Sequence, residues 1–138
     1  MNTKTLLGGI LTAVIAFLLG WLIFGILLMD YYSANMTTYS GLLKNPTEMW
    51  AIAVANLAWG LLLAYIFNLG GVKSPAKGFT AAFVINLLMI LGFDLMMEAQ
   101  YNLYSEKLLV IDVIVNAVFG GILGAFLGWW MGRGTKTA

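Results

Sequence analysis

Four long apolar stretches, residues 5–32, 47–69, 78–101 and 108–132, alternate with short polar connections along the chain. Each reaches or exceeds the roughly 20 residues that a helix needs to cross the hydrocarbon core of a bilayer. Backbone groups in lipid must satisfy their own hydrogen bonds, and four strands would leave open sheet edges, so every stretch is predicted to be a helix. The expected architecture is all-α: a polytopic membrane four-helix bundle, up-down-up-down, forming one transmembrane domain over residues 1–138. Lys4 gives the first stretch the positive start of a secretory leader. The apolar run after it outlasts an h-region of about 7–15 residues, and no small-x-small site closes it, so it is predicted to be retained.

The connections carry turn chemistry. Asn45-Pro46-Thr47-Glu48 reads as a helix start, with Pro near the first turn and an acid close behind. Residues 70–78 hold the Gly and Pro that end one helix and begin the next, a tight basic hairpin. The connection over residues 102–107 is short enough to make the third and fourth spans antiparallel neighbours. Tyr31, Tyr32, Tyr101 and Tyr104 are placed at one interface, and Trp129 and Trp130 at the other.

Charge divides along the same lines. Asp30, Glu48, Asp94, Glu98, Glu106 and Asp112 all fall in or beside the first and third connections, whereas Lys4, Lys73, Lys77, Arg133 and Lys136 lie at the N-terminus, the second connection and the C-terminus. Cytoplasmic loops retain Lys and Arg, so both termini are expected to be cytoplasmic, in a bacterial plasma (inner) membrane. Lys44 and Lys107 are exceptions, expected to pair in solvent with Glu48 and Glu106. Composition agrees with lipid as the surroundings: 62% of the 138 residues are hydrophobic and 9% charged, against roughly a quarter charged in a soluble domain. With neither Cys nor His, the chain has no disulfide, thiolate nucleophile or imidazole base, and no usual ligand set for zinc, haem or an Fe–S cluster. No basic arm points to nucleic acid, no cofactor is expected, and the metal question stays open. The Met residues read as lipid-facing or core filler rather than a soft-metal path.

Candidate chemistry gathers in the half of the bundle near the acids. Asp94 and Glu98 are one turn apart on the third span, and a rise of ~1.5 Å per residue from Phe79 puts Asp94 ~23 Å up a ~30 Å core. An intramembrane acid must find a proton, a partner or water, and is a functional candidate on that ground. The plain alternative is a hydrogen bond to a neighbouring helix. Asp112 and Asn116 repeat the one-turn spacing on the fourth span, and Asn56 offers an amide at similar depth on the second. With Asp30, these residues could line a pocket for a hard cation, a proton relay or a small polar ligand. For Asn56, Asn86 and Asn116 the favoured reading is interhelical hydrogen-bond glue.

Gly120, Gly124, Gly128 and Gly132 make one face of the fourth span nearly flat, a helix-packing signal. Its expected partner is Thr12, Ala16 and Gly20 of the first span, Asn56, Gly60 and Ala64 of the second, or the same face of another copy, with packing inside the chain preferred. Residues 56–63 and 116–123 both fit Asn-x-x-aromatic-Gly-x-apolar-Leu. Asp30 and Asp94 sit similarly at the ends of the first and third spans, so the chain reads either as two copies of a helical hairpin or as coincidence in an apolar alphabet.

Asn45-Pro46, Phe93-Asp94-Leu95, the run Leu108-Leu109-Val110-Ile111-Asp112 and the Gly-rich last span together resemble small four-helix bacterial inner-membrane proteins classed as a domain of unknown function. The resemblance spans nearly the whole chain and implies the same fold, with Asp94 and Asp112 at the family's two Asp positions. Val113 and Ile114 depart from its pattern, in which Trp often comes soon after the second Asp. It implies no activity. The expected role is a binding or assembly module with an acidic outer-side pocket, with lipid and a homo-oligomer or larger membrane complex as partners. The alternative is a small transporter or channel for a cation, proton or small polar solute. An enzyme is least expected, since no catalytic residue can be named.

Overall fold

The computed structural model describes residues 2–134, so Lys136 lies outside the described residues. Among these residues the chain is helical with no strand: α1 (Thr3–Leu22) runs into a π-helical turn (Ile23–Leu27), and then come α2 (Met29–Asn35), α3 (Met49–Leu69), α4 (Pro75–Gln100) and α5 (Glu106–Gly132). Four helices are long and apolar enough to cross a membrane, the first being α1 with its π-turn. Large apolar side chains stand exposed on all of them, for example Leu18 at 58%, Val54 at 57%, Leu88 at 62% and Ile114 at 55%. Water would penalise that surface heavily, whereas hydrocarbon would not.

Helix starts obey local chemistry. The Asn2 side chain accepts from the Thr5 amide, Ser74 accepts from Lys77 with Pro75 in the first turn, and Ser105 accepts from Leu108 with Glu106 behind it; each satisfies a donor that the helix cannot. Pro75 therefore opens α4 three residues before the predicted start, and Ser105 brings α5 forward by two. At the other hairpin, Pro46 stays outside and α3 begins at Met49, with Glu48 in the capping position and bonded to Lys44 at 2.8 Å. Gly71, at φ 62°, takes the left-handed conformation that lets α3 end and the chain turn back.

The predicted first span, 5–32, is not one helix. At Leu28 the amide reaches back five residues to the Ile23 carbonyl (2.8 Å), and Leu28 itself adopts φ −107° and ψ 0°. A π-turn inserts one residue into the ladder and rotates the helix beyond it, so α2 leaves the line of α1 as a fifth, short helix. Apolar pattern alone carries no sign of it, because the residues on both sides are equally hydrophobic.

Two antiparallel helix pairs build the bundle, α1 with α3 and α4 with α5, and α1 joins the pairs along α5. In the first pair a Cβ on Gly60 would strike Gly9 and Ala13 of α1. In the second, Cβ atoms on Gly120, Gly124, Gly128 and Gly132 would strike Asn86, Ala82 and Gly78, Ser74, and Lys73 in turn. The flat face of α5 thus meets α4 and the residues leading into it, not the first or second predicted span. Sequence reasoning matched small residues with small ones and overlooked Gly78 and Ala82, which are spaced to meet Gly124 and Gly128.

The well-packed core lies at the end bearing the termini: Leu63, Ala64, Phe67, Ala82, Leu127 and Met131. There Lys4 Nζ donates to the carbonyls of Met131, at 2.8 Å, and Arg133, while Trp130 Nε1 donates to the Lys4 carbonyl at 3.0 Å. An ammonium on the carbonyl end of α5 complements its dipole. Arg133 lies over Trp129, 4.6 Å from the ring centroid. At the opposite end the two loops are tied together. Thr37 N donates to Leu103 O (2.8 Å), Ser105 N to Asn35 O (2.9 Å) and Thr37 Oγ1 to Asn102 O (2.7 Å), around an isolated bridge between Met36 and Tyr104.

Candidate functional site

Asp94 and Asp112 meet near the loop end. The first is six residues before the close of α4 and the second six after the start of α5, so the hairpin sets both ~9 Å inside their helix ends. Their carboxyl groups come within hydrogen-bonding reach of each other. Asp112 is well supplied: the Tyr32 hydroxyl donates to Oδ1, and Asn116 Nδ2 donates to Oδ2 at 3.0 Å. Asp94 is 5% exposed, and its Oδ2 is buried with no hydrogen-bond partner. Neither carboxylate forms an ion pair; among the described residues the one salt bridge is Lys44–Glu48.

The π-turn makes this arrangement possible. By reorienting α2 it brings Tyr32 over α5, where the ring packs edge-on to Phe24 (centroids 5.8 Å apart), and Phe24 in turn packs on Phe119 of α5 (6.0 Å). Tyr32 lies outside the long helices. Its phenol is pushed up from the ordinary range first by burial, then by its hydrogen bond to Asp112 and the charges of Asp112 and Asp94. Burial and the same two acids also raise Tyr104, in the second loop. Sequence reasoning placed both tyrosines at the membrane interface and missed that they face the carboxyl pair. The acidic residues on adjacent helices were the available signal, since buried carboxylates need donors.

Glu98 and Asp30 do not join the pair. Glu98, one turn beyond Asp94, is exposed on the last turns of α4, and Asp30 is exposed on α2, beyond the break. Asp30 and Asp94, matched in a two-hairpin duplication, therefore occupy unlike environments. No group of three or more metal-capable acids exists among the described residues.

The asparagines have a different office from the predicted one. Asn56 Nδ2 donates to Ile52 O at 2.8 Å, Asn86 Nδ2 to Ala82 O at 2.8 Å and Asn116 Nδ2 to Asp112 O at 2.9 Å. Each amide thus bonds the carbonyl one turn back on its own helix, and none bridges two helices. All three line a cavity of about 190 Å3 at the middle of the bundle, together with Trp59, Ile90 and Phe119 among others. Asn116 touches both this cavity and Asp112, so the carboxyl pair and the cavity are adjacent.

The chain matches no family model, and no curated protein or solved structure is detectably similar to it.

Proposed function

We propose that this chain is a small multi-pass protein of a bacterial plasma membrane that works as a binding module around the Asp94–Asp112 pair. Lys4, Lys73, Lys77 and Arg133 gather at the end holding the termini and the α3–α4 turn, which favours that end as cytoplasmic. The resemblance to small four-helix proteins of unknown function is consistent with this placement and adds no activity.

One observation carries the reading: a buried carboxyl with an unpartnered oxygen lies against a second carboxyl, with no cationic side chain among the described residues bonded to either. Two carboxyl groups in contact repel each other unless a proton or a cation lies between them. The pair is therefore a place where a proton or a small hard cation is taken up and released, suited to oxygen ligands. Infrared difference spectra of the chain in nanodiscs are expected to show a protonated-carboxyl band that disappears in Asp94→Asn. If the site holds a cation instead, Ca²⁺, Mg²⁺ or Mn²⁺ raises the melting temperature of the unmodified chain but not of that variant. Absence of both signals removes the proposal.

A second reading, a small carrier, is favoured by the run of contacts from Tyr32 through Asp112 and Asn116 to the mid-bundle cavity. It requires ion- or proton-driven flux in proteoliposomes that Asp112→Asn abolishes. A role in assembly instead requires recovery with itself or a larger complex from native membranes.

A further inference from the structure

The central cavity carries a polar wall of three asparagines. Asn56, Asn86 and Asn116 approach it from three helices, and each spends one Nδ2 hydrogen on the carbonyl one turn back along its own helix. Among the described residues no hydrogen bond reaches any of the three Oδ1 atoms. The wall thus carries three unspent acceptor oxygens, beside the second Nδ2 hydrogens of Asn56 and Asn86 and the indole N–H of Trp59. Acceptors left unpaired at membrane depth are costly, so an occupant that donates relieves them.

Two further features narrow the occupant. Trp59, Ile90 and Phe119 supply apolar and aromatic wall, which water alone leaves unused; a dry cavity of about 150 Å3 accepts a benzene ring, and about 190 Å3 is present here. On the side of Asn116 the wall backs onto Asp112 and Asp94, and negative charge there favours a cationic head group, as do aromatic faces. An ammonium has three donors and no acceptor, which complements three carbonyl oxygens. Entry is lateral. The backbones of α3 and α4 do not pack closely along their length, in contrast to α4 with α5 and α1 with α3, and the cavity is lined by both.

We infer that this cavity is an intramembrane binding site for a small aromatic or aliphatic amine, held by the three Asn carbonyl oxygens and admitted from the bilayer between α3 and α4. The inference rests on the membrane placement proposed above and deepens it by naming a ligand class. The full chain in nanodiscs is titrated at pH 7 with phenethylamine, with neutral 2-phenylethanol and with ethylbenzene, which has no donor. Phenethylamine is expected to saturate at one per chain and to bind at least tenfold more tightly than the alcohol, with ethylbenzene weaker still. Asn56→Leu and Asn86→Leu are each expected to lower amine affinity at least fivefold while leaving ethylbenzene unchanged. Asp112→Asn is expected to narrow the gap between amine and alcohol.

Partition without saturation, or equal affinity for the three probes, overturns the site; the ligand series on the unmodified chain decides this even if a variant fails to fold. The infrared band of the carboxyl pair is read separately. Its absence with amine binding intact defeats the proton site alone, and the reverse result defeats the amine site alone.

Discussion

Tyr32 and Asn116 supply donors to the two oxygens of Asp112, whereas Asp94 Oδ2 has none. Removing a donor from a half-buried carboxylate costs about 1.5–3 kcal/mol, so Tyr32→Phe is expected to lower stability by about 2 kcal/mol in a denaturant titration of the reconstituted chain. The two acids are expected to respond unequally to amide replacement. Asp112→Asn puts an amide where two donors converge and costs about 2 kcal/mol, while Asp94→Asn relieves an unpaired oxygen and is near neutral. Equal losses in the two variants would refute this division. The phenol of Tyr32 adds a pH dependence. Its folded value lies above the ordinary one near 10, through burial and then Asp112 and Asp94. Below that ordinary value the stabilising contribution is fully present. As pH climbs past it, the unfolded chain sheds a proton that the folded chain keeps, and the contribution drains away. Melting temperature is therefore expected to fall more steeply above about pH 10 in the unmodified chain than in Tyr32→Phe.

Among the elements, the α4–α5 contact rests on the absence of side chains. Gly124 lies where any Cβ would meet the Ala82 side chain and the Gly78 backbone, whereas Gly92 in the second half of α4 has nothing within 4 Å. Gly124→Leu is expected to cost about 1–3 kcal/mol or more, and Gly92→Ala to be neutral or to stabilise by up to about 1 kcal/mol. Urea unfolding of the two variants side by side checks both. The π-turn makes a second demand. Deleting one residue from Ile23–Leu27 restores regular helix and swings α2 by ~100° about its axis. The alkaline behaviour assigned to Tyr32 is then expected to disappear. The four long helices were legible in the sequence because the hydrophobic runs are long and the breakers, Gly70, Gly71, Pro75 and Ser105, are polar or conformationally special. The π-turn was not legible, because Ile23–Leu27 is as apolar as its flanks. Asp94 and Asp112 could be matched by depth alone, but the exclusion of Glu98 depends on helix rotation, and the recruitment of Tyr32 depends on the hidden break. The asparagines misled for a related reason. An amide in lipid must bond something, and sequence does not reveal that the nearest acceptor is its own helix one turn back.

At the scale of the whole molecule, the two ends differ in kind. One is packed and basic; the other is capped by paired loops over a carboxyl pair. The chain contains no Cys, so single introduced thiols report sidedness cleanly. Ala76→Cys, in the first turn of α4, is expected to resist a membrane-impermeant maleimide in intact cells and to react in inverted vesicles, and Thr38→Cys to do the opposite. Reversal of that pattern would invert the proposed orientation. The contact of Lys4 with the last turn of α5 also bears on how the protein is made. A ribosome delivers Lys4 well before Met131, so α1 enters the bilayer before the helix that holds its start exists. Until then its narrow Gly8 face, later covered by Leu127 and Trp130, stands open to lipid or to the insertion machinery. Closure of the bundle is thus a late event, and truncation before α5 is expected to leave a three-span product that quality-control proteases recognise.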